Sequence, residues 1–169
     1  MKQVGRWVIA MILVAGSVGV TVGAQPSATE QRVRQQLIGT YKLISYTSFD
    51  QNGVATKLPY SAGQIAYDAA GRMSAQLMRA DRPPFTGGRG GSEPERAAAY
   101  SSYIAYFGHY TIDAEKGIVY HHVEGSMTPS MVGQAMPRYY ELTPDGATLF
   151  LQTKSGDRVT GRLQWDRYK

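Results

Sequence analysis

Three histidines are the residues best suited to chemistry in this 169-residue chain, and two stand side by side in Tyr120-His121-His122-Val123-Glu124. Imidazoles with a carboxylate close by could hold a metal ion or move a proton. Which of these is open depends on the backbone that carries them. Successive side chains of a strand point to opposite faces, so His121 and His122 could not serve one site. Alternation groups Val119, His121 and Val123 on one face and Tyr120, His122 and Glu124 on the other. The second set is the more polar and fits solvent, which leaves His121 as a lone polar group facing inward. In "YFGHYTID" the apolar set is Tyr106, Gly108, Tyr110 and Ile112, which puts His109 outside. A metal needs three or four convergent ligands, and the chain has no cysteine and no His-x-x-x-His motif. No metal site and no cofactor is expected. No serine sits in an elbow motif and no acid pairs visibly with His121, so a nucleophilic triad is unsupported.

The elements that must position these residues are short. From Leu37 onward, runs rich in Tyr, Val, Ile, Leu and Thr are separated by turn residues, among them Asn52-Gly53, Ala70-Gly71, Asp145-Gly146 and Ser155-Gly156. Asn-Gly is a strong hairpin signal. About eight strands result, most joined by loops of a few residues. One stretch differs: Ser92 with Glu95 three residues later has the form of a capping box. Ala97, Tyr100, Ile104 and Phe107 then follow at near-helical spacing. A short helix over about residues 93–105 is expected between the third and fourth strands. The "TGGRGG" before it is a connector; no strand feeds it and no Gly-Lys-Ser/Thr follows, so it is not a phosphate loop. Eight antiparallel strands with short turns make a barrel or a sandwich, and closure would remove both exposed edges.

Parity assigns the rest of the interior. "RYYEL" turns Arg138, Tyr140 and Leu142 inward, "RLQWDR" turns Leu163, Trp165 and Arg167 inward, and the opening strand groups Tyr41, Leu43, Ser45 and Thr47. In "RMSAQLM" either Met73/Ala75/Leu77 or Ser74/Gln76/Met78 would serve; the first is preferred. An inward guanidinium is costly unless it is paired or meets ligand oxygens, and Glu124 and Glu141 both fall on outer sets. Arg138 is therefore expected to meet an anionic or carbonyl head of a small, largely apolar ligand, with His121 bonding beside it. Tyr106, Tyr110, Tyr140, Tyr67, Met73 and Thr47 complete the ligand-binding candidates. Two other readings stand beside this one. A barrel isomerase or cyclase could use His121 as acid–base and Arg138 at an enolate-like oxygen. A filled barrel could act through its surface or through the segment 81–105.

The N-terminus bears on location. Lys2 and Arg6 precede "WVIAMILVAGSVGVTV", and Val22-Gly23-Ala24 suits signal peptidase, so residues 1–24 are expected to be cleaved before Gln25, leaving an exported protein without a stable membrane anchor. Residues 25–36 are polar and suggest a linker or short leading turn ahead of a domain over 37–169. The formal charge of +5 becomes +3 without Lys2 and Arg6. The remaining basic residues form no run or stripe, which argues against nucleic acid. With no cysteine, the mature domain must be held by burial alone.

Several stretches carry a resemblance. "LIGTYKLISY" resembles the Gly-x-Trp opening of lipocalins, with Tyr41 in the aromatic position after Gly39. "WDR" places Arg167 where lipocalins carry a basic residue beneath that aromatic. "GQIAYDAAGRMSAQLMRADRPPF", "YIAYFGHYTID", "VYHHVEGSMTPSMVGQ" and "RYYEL" are similar to the bacterial and fungal lipocalin-like domain family, from Leu37 to the end. The resemblance implies an all-β, eight-stranded antiparallel up-and-down barrel, with one short helix inserted between strands 3 and 4. It implies little about chemistry, because Tyr replaces Trp at 41 and the helix lies mid-chain rather than after the last strand. If the barrel closes, Tyr41 and Arg167 should touch at its bottom, a guanidinium over a ring being worth about 0.5–2 kcal/mol.

Overall fold

The structure, a computed structural model, describes residues 25–169. The expected leader, residues 1–24, lies outside the described residues. Nine strands form one antiparallel sheet: β1 (Gly39–Phe49), β2 (Ala55–Lys57), β3 (Tyr60–Tyr67), β4 (Arg72–Arg79), β5 (Tyr103–Asp113), β6 (Ile118–Ser126), β7 (Ala135–Leu142), β8 (Thr148–Ser155) and β9 (Arg158–Arg167). The order is sequential, and β9 pairs back onto β1 from Tyr41↔Arg167 to Ser48↔Gly161. That pairing closes β1 and β3–β9 into an eight-stranded up-and-down barrel. Closure leaves only short β2 as an added strand, on the far end of β1. A sandwich is excluded by the same pairing.

Within each strand the burial alternates as the apolar pattern dictates. Met73, Ala75 and Leu77 of β4 are all at most 4% exposed, which decides the ambiguous strand in favour of its first set. Tyr106, Gly108, Tyr110 and Ile112 are buried on β5, and Leu163 and Trp165 on β9. Register shifts interrupt the β1–β9, β3–β4, β5–β6 and β8–β9 pairings, and the first of them overturns an expected facing. A β-bulge between Leu43 and Ser45 shifts the β1–β9 register, and an extra residue flips every side chain after it. Tyr46, opposite inward Leu163, takes the inner face, whereas Thr47 pairs with outward Arg162. The expected inward placement of Ser45 and Thr47 is therefore corrected.

Among the described residues two α-helices accompany the barrel. α2 (Glu93–Ser101) lies between β4 and β5, the third and fourth barrel strands. Its capping box forms: the Glu95 carboxylate accepts from Ser92 N at 2.6 Å and also from Thr86 N at 2.8 Å. The helix ends four residues earlier than its spacing suggests. Tyr103 and Ile104 pair with Met78 and Leu77 instead, because sheet hydrogen bonds outweigh a continued helical face there. α1 (Ala28–Leu37) replaces the linker or turn expected at 25–36. Ser27 Oγ accepts from Glu30 N at 3.1 Å, and Leu37 is fully buried in the barrel core. A helix with Val33 and Leu37 as its only apolar residues past the first turn has no stripe to read; docking against the barrel stabilises it.

Candidate functional site

The lower end of the barrel is sealed. Arg167 lies over the Tyr41 ring, with Cζ 4.6 Å from its centroid, and bonds to the Tyr41 hydroxyl. It also donates to the carbonyls of Ile38 and Gln36 at 2.7 Å each and to Gly146 at 3.0 Å. The guanidinium thus satisfies the free carbonyls at the end of α1. Tyr41 and Arg167 touch as closure requires. Gly39 sits at φ +149°, and a side chain there would overlap the Arg167 guanidinium. On the other side Arg34 of α1 covers Tyr110 at 4.9 Å.

The upper half encloses a cavity of about 220 Å3. Its apolar walls come from Ile65, Leu77, Leu151 and Leu163, and its rim from Ile104, Thr128 and Met131. Six residues with polar side-chain atoms line it: Tyr46, Tyr106, Thr128, Arg138, Thr153 and Trp165. Arg138 donates to the Pro137 carbonyl at 2.9 Å and toward Met136 Sδ at 3.5 Å, which leaves most of its five donors unused. No carboxylate pairs with it among the described residues. Trp165 is 1% exposed, and its Nε1–H is the one buried side-chain polar atom without a partner among the described residues. A buried donor left unpaired costs roughly 1–3 kcal/mol. The lining thus carries one guanidinium, which only donates, among hydroxyls of Tyr46, Tyr106, Thr128 and Thr153 that can donate or accept, and no carboxylate.

His121 is fully buried, but it stands behind this wall rather than on it. Its Nε2 is 2.7 Å from the Tyr67 hydroxyl and its Nδ1 is 3.0 Å from the Tyr106 hydroxyl. Both ring nitrogens are occupied by protein, so a ligand in the cavity meets Tyr106 and not the imidazole. Of the other candidates, Arg138 and Tyr106 reach the cavity. Tyr67, Tyr110 and Met73 lie in the packed core below it, and Tyr140 faces inward away from it. Thr47 is on the outer face. Trp165 and Tyr46 line the cavity but were not among the expected ligand-binding residues. Parity had turned Trp165 inward, but nothing in the sequence says its indole lacks a partner; Tyr46 was hidden by the bulge.

Burial holds the His121 pKa well below the ordinary histidine value, and the positive charge of Arg138 and neighbouring His122 push it further down. The groups facing it are Tyr67, Tyr106 and Arg138, none of which can neutralise an imidazolium. Below about pH 6.5 the unfolded chain binds a proton that the folded barrel rejects. Stability from neutral His121 is thus complete above that pH and is lost as pH falls. Chemical denaturation from pH 7 to pH 5 is expected to show a falling midpoint, with a shallower fall in His121→Gln. Equal slopes in the two proteins would refute this assignment.

The outer face of β4–β6 carries the remaining histidines. His109 and His122 stack at 4.5 Å and 6°, and Glu124 accepts from Arg72 at 2.7 Å through both oxygens and bonds His109 Nδ1 at 2.9 Å. These contacts with Arg72 and His109 hold the Glu124 carboxyl down to about 2. No group of three potential metal ligands occurs among the described residues. A larger groove of about 1070 Å3 lies outside the barrel, between residues 79–85 and α2. It is open, walled by Pro83, Phe85, Pro94 and Ala98, and contains no orphaned buried polar atom. Volume favours the groove, but convergent polar groups favour the smaller cavity as the site.

Fold and cavity together define an up-and-down β-barrel sealed at one end and hollow at the other. A family model described as a lipocalin-like domain matches residues 38–168, and the chain belongs to that family. Among solved structures, a redesigned β-barrel aligns with a TM-score of 0.42 and 12% identity, covering 82% of this chain and 96% of that one. None of the curated proteins compared with the chain matches it. Among the described residues no helix is long and apolar enough to cross a membrane.

Proposed function

We propose that this protein is an exported lipocalin-like carrier that binds a small, largely apolar molecule through an oxygen-rich or anionic head. The observation that carries the reading is the Arg138 guanidinium on the cavity wall, which no carboxylate pairs among the described residues. A ligand whose head accepts hydrogen bonds gives that guanidinium a partner. The aliphatic side chains of the wall suit a ring or short chain. About 220 Å3 is below the usual range of roughly 300–1,000 Å3 for drug-sized ligands, so the molecule is of single-ring size. Export rests on the basic, apolar and small-residue pattern of residues 1–24.

The reading is tested with benzoate. Trp165 is the only tryptophan besides Trp7, so the chain starting at Gln25, or a Trp7→Phe protein if the leader is retained, reports on the cavity through one indole. Benzoate is expected to perturb its fluorescence with saturation, and Arg138→Met to weaken benzoate about tenfold, as loss of one charged hydrogen bond implies. Benzyl alcohol should bind both proteins alike. Unchanged benzoate affinity in the Arg138 variant would sink the anionic-head reading. Native mass spectrometry of protein recovered from its host should show a bound small molecule and the mass of a chain starting at Gln25.

A further inference from the structure

The polarity of the Tyr67–His121–Tyr106 chain determines what Tyr106 can offer a ligand. A neutral imidazole has one N–H and one acceptor nitrogen, and burial keeps His121 neutral. One tyrosine must therefore donate to the ring while the other accepts from it. Two arrangements satisfy the ring equally. They differ at the ends of the chain.

Tyr67 is 2% exposed, and its hydroxyl has no hydrogen-bond partner but His121 Nε2 among the described residues. If Nε2 carried the proton, the Tyr67 hydrogen would be buried with nothing to accept it. That orphan costs roughly 1–3 kcal/mol, enough to disfavour the arrangement about fivefold to a hundredfold. In the other arrangement Tyr67 donates to Nε2, Nδ1–H donates to the Tyr106 oxygen, and the hydrogen left over belongs to Tyr106. Tyr106 stands on the cavity wall, where a ligand can accept that hydrogen. Arg138 beside it adds a further positive charge that disfavours turning Tyr106 the other way, since a donor guanidinium prefers the phenol oxygen.

We infer that Tyr67 and His121 act as positioning residues that hold the Tyr106 hydroxyl as an obligate donor to the ligand, so that the site selects heads bearing two adjacent acceptors, such as a carboxylate. This rests on the ligand reading above, and it adds Tyr106 to Arg138 as a determinant of specificity. Tyr67 touches no ligand; its influence passes through the tautomer of His121.

The tautomer can be read directly by long-range 1H–15N NMR on histidine-labelled protein. The chain has three histidines; His109→Gln and His122→Gln, both outer-face substitutions, identify their own signals and leave that of His121. Native His121 is expected to be protonated on Nδ1 alone. Tyr67→Phe should shift it toward a mixture of tautomers and weaken benzoate about threefold to tenfold, the loss of a pre-set donor. Tyr106→Phe should weaken benzoate by a similar factor. Tyr110→Phe, a buried tyrosine that bonds Asp68 instead, should alter neither readout. Protonation on Nε2 with benzoate bound overturns the polarity inferred here, as does a Tyr67→Phe protein with unchanged tautomer and affinity. Failure of benzoate to bind the native protein overturns the cavity reading itself, whatever the tautomer.

Discussion

Gly108→Ala is expected to lower the unfolding free energy by about 3–5 kcal/mol, beyond the usual cost of overpacking. A methyl at this position would overlap the His122 carbonyl oxygen and lie 3.1 Å from Glu124 N. Both obstacles are backbone, and a flexible side chain cannot swing away to make room. The crowding has a topological cause. β5 and β6 shift register between Phe107 and Gly108, so that Gly108 pairs with Val123 and Phe107 with Gly125, skipping Glu124. This bulge brings the β6 backbone over Gly108 and presents Glu124 outward to Arg72 and His109. Urea denaturation checks the prediction. Gly87→Ala, which would meet nothing within 4 Å, is the control and should change stability by less than about 0.5 kcal/mol. Comparable behaviour of the two variants would show that the β5–β6 register is not as described.

Arg167→Met should cost about 3–5 kcal/mol and release α1 before the barrel unfolds, since hydrogen bonds from a charged donor are worth about 1.5–3 kcal/mol each and do not simply add. The variant removes the guanidinium donors from the carbonyls of Ile38 and Gly146, leaves the Gln36 carbonyl only the Tyr41 hydroxyl at 3.2 Å, and removes the cation from the Tyr41 face. Arg167→Lys should recover only part of the loss. An ammonium cannot span the separate carbonyls that a planar guanidinium reaches at once. Hydrogen exchange provides the second measurement: amides of residues 28–37 should lose protection in Arg167→Met more than those of β4–β6. Uniform loss of protection would mean that α1 is held by Leu37 burial and not by this cap.

Much of the interior can be read from single strands. His121 inward with His109 and His122 outward, Arg138 inward without a carboxylate, and the Tyr41–Arg167 contact all follow from alternation or resemblance, because a strand's facing is a local property. Errors fall where a second strand or a distant element intervenes. Thr47 was turned outward by a bulge that exists only through pairing with β9. The helix expected to run to residue 105 stops at Ser101 because β4 captures Tyr103 onward. For α1, Ser27 and Glu30 stand at capping-box spacing and could have signalled a helix, but the absence of an apolar stripe concealed it.

The candidate site divides along the same line. Its residue types, a guanidinium, an indole and tyrosines among aliphatic side chains, were set by the order of amino acids and by two-residue periodicity. Which of them remain short of a partner was decided by packing: among the described residues Trp165 Nε1 is orphaned, Arg138 lacks a counter-charge, and His121 is consumed by Tyr67 and Tyr106. Facing is inherited from neighbours along the chain, whereas hydrogen-bond satisfaction depends on groups tens of residues away that only barrel closure brings together.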